Sequence, residues 1–393
     1  MKASIIIVGD EILKNRIVER NSTIISNLLL KKGYFITGKY FVGDNFKNIN
    51  RVLHLSIKDS KIIVITGGLG PTVDDITLSA VAKSLKRKLV FSEKIYEKIS
   101  KKMKADNKIL IRQSLTISGS KIFENGAGIA FCHSIVYKGV KIFLLPGVTR
   151  EVEWITDNVL EKVIPNRAVR KEYNIKIFDT TETQIYQLLK EEFDSKTISD
   201  IHFYPIFGFI DLYFSKKEIL KFLKNKFKGK FLETDAKDLN LYLKGELEKK
   251  NLKLSVAESC TGGLLSKYLT DIEGSSKFFL GGVVVYSNGS KNSILKVDRK
   301  LLEKYGAVSS EVAEMMAKNC SKIFRSDISV SITGIAGPSG GSIEKPVGTV
   351  FISTFYKNRL QTEKYVFNGS RDIVRQKSVN LSIFSILRRI KNE

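Results

Sequence analysis

The chain has 393 residues, 43% hydrophobic and 27% charged, with 6 Pro, 28 Gly, three Cys, three His and a net charge of +24. That length fits two or three globular domains at roughly 100–200 residues each, and the composition excludes disorder, collagen and coiled coil as readings of the whole. The odd number of Cys, without CxxC spacing, excludes a disulfide scaffold or a zinc ribbon.

In chain order, residues 3–9 read as a short apolar strand running into an acidic loop. Residues 21–32 read as a helix with Asn21 or Ser22 as cap and Gly33 as stop. A second strand (34–44), a helix (48–60) and a buried strand ending in glycines (61–68) follow, then a helix over 75–87. Two strands around a turn (134–148) and a helix (149–165) close the segment. This strand–helix alternation predicts a largely parallel sheet covered on both faces, in a first domain over 1–167. The pattern changes over 168–240 to strand, helix, strand, strand, helix, the signature of a small α+β domain.

Its last helix lies in the densest basic run, 216–230, with seven Lys and one acid. Ile219, Leu220, Phe222, Leu223 and Phe227 recur there at helical spacing, so the helix is amphipathic and its apolar side packs on a sheet. The chain's positive charge invites nucleic acid. It is carried mostly by Lys spread along the sequence, however, which is the pattern of a solvated surface, and no aromatic-rich basic stripe accompanies it. A third domain, 241–393, alternates helix and strand again and ends in a helix over 370–390. The fold class is α/β: two three-layer domains joined by a small α+β domain. No stretch approaches eighteen apolar residues, and the apolar run after Lys2 is too short for a signal-peptide core. The expectation is a cytoplasmic protein that has no membrane partner and keeps its thiols reduced.

Ligands of α/β sheets bind at the carboxyl ends of strands. In the first domain one such end carries Gly9, Asp10 and Glu11. A second carries Thr66, Gly67, Gly68, Gly70, Pro71, Thr72, Asp74 and Asp75. A glycine loop presents backbone N–H groups to an anion. Acids beside a phosphate call for a divalent cation between them, which makes Asp10, Glu11, Asp74 and Asp75 the candidate metal ligands. A plain turn with an N-cap Asp explains part of the same pattern.

In the third domain, Ser259 stands at a strand end and Thr261, Gly262 and Gly263 open a helix, where an oxyanion could be stabilised. A serine nucleophile needs a base, and all three His lie upstream of this domain. A Ser–Lys arrangement is the alternative: Tyr286 sits at another strand end and Lys291 lies five residues later, with burial lowering the lysine's pKa. Thr333, Gly334, Gly337, Gly340 and Gly341 form a further glycine loop suited to a phosphate or an oxyanion. The bland readings stand beside these: Ser259 as a helix cap, Lys291 as a surface cation, and Cys260 as a buried inert thiol rather than a nucleophile.

The runs VGDEIL (8–13), TGGLGPTVDDIT (66–77) and LLPGVTREV (144–152) closely resemble the N-terminal domain of the CinA family, which is similar to the MoaB/MogA molybdopterin-binding fold. The resemblance implies a metal-dependent ADP-ribose pyrophosphatase there. Asn21, Gly43 and Asp44 fit the same pattern. The chain departs from it at 125–132, where Asn125, Gly128 and Ala130 are kept but Ile129, Phe131 and Cys132 replace members of a Gly-Thr-Ala-Pro-Gly loop. AESCTGG (257–263), VVYSNGSK (284–291), GAVSSEVA (306–313) and SITGIAGPSGGSIEKPVGTV (331–350) resemble the CinA C-terminal domain, also found alone as PncC.

That second resemblance implies a nicotinamide-nucleotide amidohydrolase converting nicotinamide mononucleotide (NMN) to nicotinate mononucleotide and ammonia, with no cofactor. Ser259 would be the nucleophile, Lys291 the base and Tyr286 its assistant. Thr333 would position the substrate and Glu258 would orient the loop. The family also implies a homodimer. A molybdopterin-type binding protein and a nucleic-acid or competence scaffold are the rival readings.

Overall fold

The computed structural model describes residues 1–102, 105–168, 172–236 and 238–392. The chain divides into two compact units, Met1–Arg170 and Lys171–Glu393. The expected boundary at 167/168 adjoins residues 169–171, which lie outside the described residues.

Among the described residues the first unit is built on eight strands: β1 (Lys2–Val8), β2 (Phe35–Val42), β3 (Ile62–Thr66), β4 (Leu89–Phe91), β5 (Leu115–Ile117), β6 (Lys121–Phe123), β7 (Cys132–Tyr137) and β8 (Val140–Leu145). Six form one sheet in the order β2-β1-β3-β8-β7-β6, and β4 pairs with β5. The β2-β1-β3-β8 part is parallel, while β7 and β6 run antiparallel at one edge. Side chains alternate across a strand, so the unbroken apolar run of β1 serves two cores. Ile5 and Ile7 join Val64, Phe143 and Leu145 on one face. Ile6 and Val8 join Ile63, Ile65 and Leu144 on the other. This is the doubly covered sheet that the strand–helix alternation predicts.

In the second unit, β9 (Tyr173–Phe178), β10 (His202–Ile206), β11 (Phe209–Phe214) and β12 (Phe231–Glu233) form an antiparallel sheet in the order β10-β11-β9-β12. With its helices this is a split βαβ arrangement. The basic helix Lys217–Lys226 buries Ile219, Leu220 and Leu223 in one core with Ile175, Ile177 and Leu212. The opposite face of this sheet lends Phe178, Phe209 and Leu232 to the core of the third domain. There Phe178 stacks on Phe384 at 3.9 Å between ring centroids.

The third domain's strands are β13 (Leu254–Glu258), β14 (Phe279–Val284), β15 (Ile328–Gly334), β16 (Thr349–Tyr356) and β17 (Arg359–Val366), in the order β14-β13-β15-β16-β17. β13 is parallel to both neighbours, so three carboxyl ends meet on one side. The long helix Arg371–Asn392 covers one face. No described helix is long and apolar enough to cross a membrane. Cys132, Cys260 and Cys320 are free and buried.

Candidate active site

The register of β13 places Glu258 beside Val284 and Ile332. Ser259 follows, pinned by its N–H to the Ile332 carbonyl at 2.9 Å, and Val285 N–H donates to the Glu258 carbonyl at 2.8 Å. The chain then turns sharply. Gly262 (φ 56°) and Gly263 (φ 91°) occupy the left-handed region, which residues with a Cβ adopt at a cost.

The turn is organised by Glu258. Its carboxylate is fully buried and accepts from Gly263 N (3.1 Å), Leu265 N (3.0 Å), Ser266 N (2.8 Å) and Ser266 Oγ (2.7 Å). An anion at the N-terminus of the helix Leu264–Thr270 satisfies donors the helix cannot. It also consumes the Gly263 N–H expected to serve substrate, and the Gly262 N–H is spent on the Ser259 carbonyl (3.1 Å). The donors remaining in the turn are the N–H groups of Cys260 and Thr261.

Lys291 lies on the short helix Asn288–Ser293, whose start is fixed by a reciprocal capping box between Ser287 and Ser290. The side chain is 1% exposed. Its Nζ donates to Ser259 Oγ (3.0 Å), the Val285 carbonyl (2.9 Å) and, more distantly, the Tyr286 carbonyl (3.4 Å). Burial holds its pKa below the ordinary lysine value. A neutral amine that gives its two hydrogens to the carbonyls directs its lone pair at the Ser259 hydroxyl, which is the geometry of a general base. Cys260 is buried, which pushes its thiol up to about 12, and it is no ready nucleophile.

Other expected residues sit differently. Tyr286 is 61% exposed, and its hydroxyl accepts from Arg371 (2.9 Å). It meets Lys291 through its backbone carbonyl, so the expected assistance from the phenol is not formed. The Thr333 hydroxyl donates to the Ala307 carbonyl at 2.7 Å and thereby ties β15 to the 306–309 loop. Gly334 lies against β16, where a Cβ would meet the Thr349 carbonyl at 2.8 Å, and one on Gly341 would meet Val347 N at 2.7 Å. Gly337 and Gly340 have left-handed φ.

Sequence reasoning missed Arg371 and Arg375, one turn apart at the start of the last helix. Arg371 also donates to the Gly337 carbonyl (3.0 Å), and Arg375 donates twice to the Thr261 carbonyl (3.2 and 2.6 Å). The i, i+4 spacing was the only signal. The Thr261 hydroxyl is buried with no partner among the described residues.

In the first unit, Val8, Thr66 and Leu145 end the parallel strands around a cleft. Gly67 has φ 101°, and a Cβ there would lie 2.0 Å from the Val8 carbonyl. The Thr66 hydroxyl goes to the Pro146 carbonyl (2.6 Å), so it is structural. Asn21 lies inside the helix Asn21–Lys31 and caps nothing; its amide donates to the Gly147 carbonyl (2.7 Å). Asp10, Glu11, Asp44, Thr72, Asp74 and Asp75 line a cavity of about 460 Å³ with Gly68. Asp10 and Asp44 exchange hydrogen bonds through their backbone amides (3.0 and 3.3 Å), and Lys14 pairs with Asp10 at 2.8 Å. That pairing holds Asp10 below the usual carboxylate range. Burial, together with the neighbouring acids, raises Asp44. One Asp75 oxygen is occupied by Thr72 N (2.8 Å) and Thr72 Oγ1 (2.6 Å).

These are hard oxygen donors of the kind that suits Mg²⁺. Among the described residues, however, no three His, Cys, Asp or Glu side chains converge as a metal-holding group. The expected set of Asp10, Glu11, Asp74 and Asp75 does not fit a metal as arranged: Asp10 is turned to Lys14 and Asp75 to Thr72.

The profile of the CinA C-terminal domain matches residues 236–390, and that of a probable molybdopterin binding domain matches residues 4–166. A CinA-like protein of Thermosipho melanesiensis is 35% identical over 99% of this chain and 100% of its own length. One from Thermotoga neapolitana is 36% identical over 99% and 98%. Among solved structures, a CinA superfamily protein of Escherichia coli is 35% identical over 38% of this chain and 88% of its own, with a TM-score of 0.38. The Thermoplasma acidophilum protein CinA is 31% identical over 42% and 98%, with a TM-score of 0.40. With full-length relatives above 30% identity and both domain profiles matched, the chain belongs to the CinA family, carrying a MoaB-like N-terminal domain and a CinA C-terminal domain.

Proposed function

We propose that the C-terminal domain hydrolyses the carboxamide of NMN, giving nicotinate mononucleotide and ammonia. The observation that carries this reading is the 3.0 Å contact of the buried Lys291 Nζ with Ser259 Oγ. In the proposed reaction, neutral Lys291 takes the hydroxyl proton as Ser259 Oγ attacks the carboxamide carbon. The oxyanion is met by the N–H groups of Cys260 and Thr261. The tetrahedral species collapses, the C–N bond breaks, and the Lys291 ammonium returns its proton to the departing ammonia. Water then adds to the acyl-serine, again losing a proton to Lys291, and Ser259 is released with the carboxylate product. Because a lysine supplies the base, no metal is called for in these steps. The test is ammonia and nicotinate mononucleotide release from NMN by the purified protein in EDTA. No turnover by a folded protein overturns the reading.

For the N-terminal cleft we propose ADP-ribose as the bound nucleotide, supported by the glycine loop and the acidic mouth beside it. Calorimetry with ADP-ribose, with and without Mg²⁺, tests this; the absence of binding in both conditions refutes it. We place the protein in the cytoplasm and propose that it acts on small nucleotides as a homodimer.

A further inference from the structure

We infer that a cavity between the small α+β domain and the third domain binds a nucleoside whose base carries an exocyclic amine, received by side-chain carbonyl groups that line the cavity. The cavity, of about 290 Å³, is walled by Ile206, Phe207 and Phe209 from β10, β11 and their turn, and by Tyr268, Gln376 and Asn380 from two helices of the third domain. That volume is near the lower end of the roughly 300–1,000 Å³ typical of small-molecule sites. Three aromatic side chains among these walls suit the faces of a planar ring.

The polar chemistry is set by three carboxamides. Asn240 lies in the first turn of the helix Leu239–Lys249 and is 8% exposed. Its Nδ2 donates to the Tyr268 carbonyl at 3.4 Å, which orients the amide. Its Oδ1 is buried with no partner among the described residues. A buried acceptor without a donor is costly, and Asn240 lines this cavity, so a ligand N–H would satisfy it. Gln376 gives its Nε2 to Asp372 (2.5 Å), and Asn380 gives its Nδ2 to the Phe207 carbonyl (2.7 Å). Those bonds commit the amino ends of both amides to the protein and leave Oε1 and Oδ1 as acceptors. A site of acceptors selects an amine and disfavours a carbonyl. The adjoining cavity shares Asp238, Asn240 and Tyr268 with this one. It adds Asp271 and Glu273 against Lys244 and Lys277, and Lys244 is already held by the Glu273 carbonyl at 2.8 Å. Three acids beside two lysines do not favour a phosphate, so the ligand is a nucleoside rather than a nucleotide.

Asn240→Leu keeps the side chain's size and removes the unpartnered acceptor, so it should fold at least as stably as wild type. Phe207→Ala removes one aromatic wall from a residue that is 41% exposed, without opening the core. The experiment is calorimetric titration of full-length wild type and both variants with adenosine and with inosine, which carries a carbonyl oxygen where adenosine carries its amine. Circular dichroism checks the fold of the variants, and the emission of Trp154, the chain's one Trp, follows the N-terminal unit separately. The inference predicts that wild type binds adenosine at least tenfold more tightly than inosine, and that both folded variants bind adenosine at least tenfold more weakly. Bound adenosine should also raise the unfolding midpoint of the C-terminal unit. Absence of adenosine binding by wild type overturns the inference, as do equal affinities for the two nucleosides. Adenosine binding by folded Asn240→Leu within twofold of wild type overturns it, and so does a rise in midpoint confined to the Trp154 transition.

Discussion

Glu258→Gln is the substitution that most severely probes how the Ser259 turn is held. The carboxylate accepts four hydrogen bonds, three from backbone N–H groups and one from the Ser266 hydroxyl, and is fully buried. A Gln of the same size keeps one carbonyl oxygen, able to accept two of them, and turns an NH₂ toward the other two donors. Two charge-assisted bonds at about 1.5–3 kcal/mol each are lost, together with the favourable anion at the helix N-terminus, about 0.3–1 kcal/mol. The expected destabilisation of the C-terminal unit is about 3–7 kcal/mol. Urea unfolding followed by circular dichroism measures it. Trp154 emission reports the N-terminal unit separately and should keep its midpoint. NMN turnover should fall with the loss of the turn's geometry, by more than Ser266→Ala, which removes one donor, lowers it. A Glu258→Gln protein within 1 kcal/mol of wild type in the C-terminal transition, with wild-type turnover, would refute the claim that this carboxylate builds the site.

Lys291→Met should lower NMN turnover by about 10²–10⁴, the usual contribution of a general base, and Lys291→Arg should not rescue it, because a guanidinium stays protonated. In the wild type the rate should rise with pH through the lowered pKa of Lys291 and level off below the ordinary lysine value of 10.5. Between those two values the unfolded chain binds the extra proton, so stability rises with pH; Lys291→Met should remove that slope in pH-dependent unfolding. Gly67→Ala, which sets a methyl 2.0 Å from the Val8 carbonyl, should lower the melting temperature of the N-terminal unit and leave NMN turnover unchanged. EDTA should leave NMN deamidation untouched, and a proportional loss on chelation would contradict the Ser–Lys mechanism.

Strands and the parallel core were legible because their side chains obey a period of two and their glycines mark the strand ends. The Ser259–Lys291 pair was legible through the family resemblance of AESCTGG and VVYSNGSK, with the absence of His from the domain leaving a lysine as the candidate base. Tyr286 was misread in one respect: a Tyr five residues from a Lys suggests contact between side chains, yet the short helix turns the phenol outward and offers the carbonyl instead. Arg371 and Arg375 escaped because their partners are distant in sequence, Thr261 for Arg375 and Gly337 and Tyr286 for Arg371, and nothing local marks an Arg that makes such a bond. The glycines after Ser259 looked like free donors. Only the structure shows that Glu258, folded back beneath them, has taken one of their N–H groups. The acids of the N-terminal cleft were visible as a cluster, but sequence cannot show that Lys14 and Thr72 occupy two of them. β12 was too short to carry a pattern.

The central claim is tested most directly by ammonia release from NMN in three proteins: wild type, Ser259→Ala and Cys260→Ala. The mechanism predicts turnover in wild type and in Cys260→Ala, and a loss of about 10³-fold or more in a folded Ser259→Ala. Wild-type turnover in Ser259→Ala, or its loss only in Cys260→Ala, would contradict it.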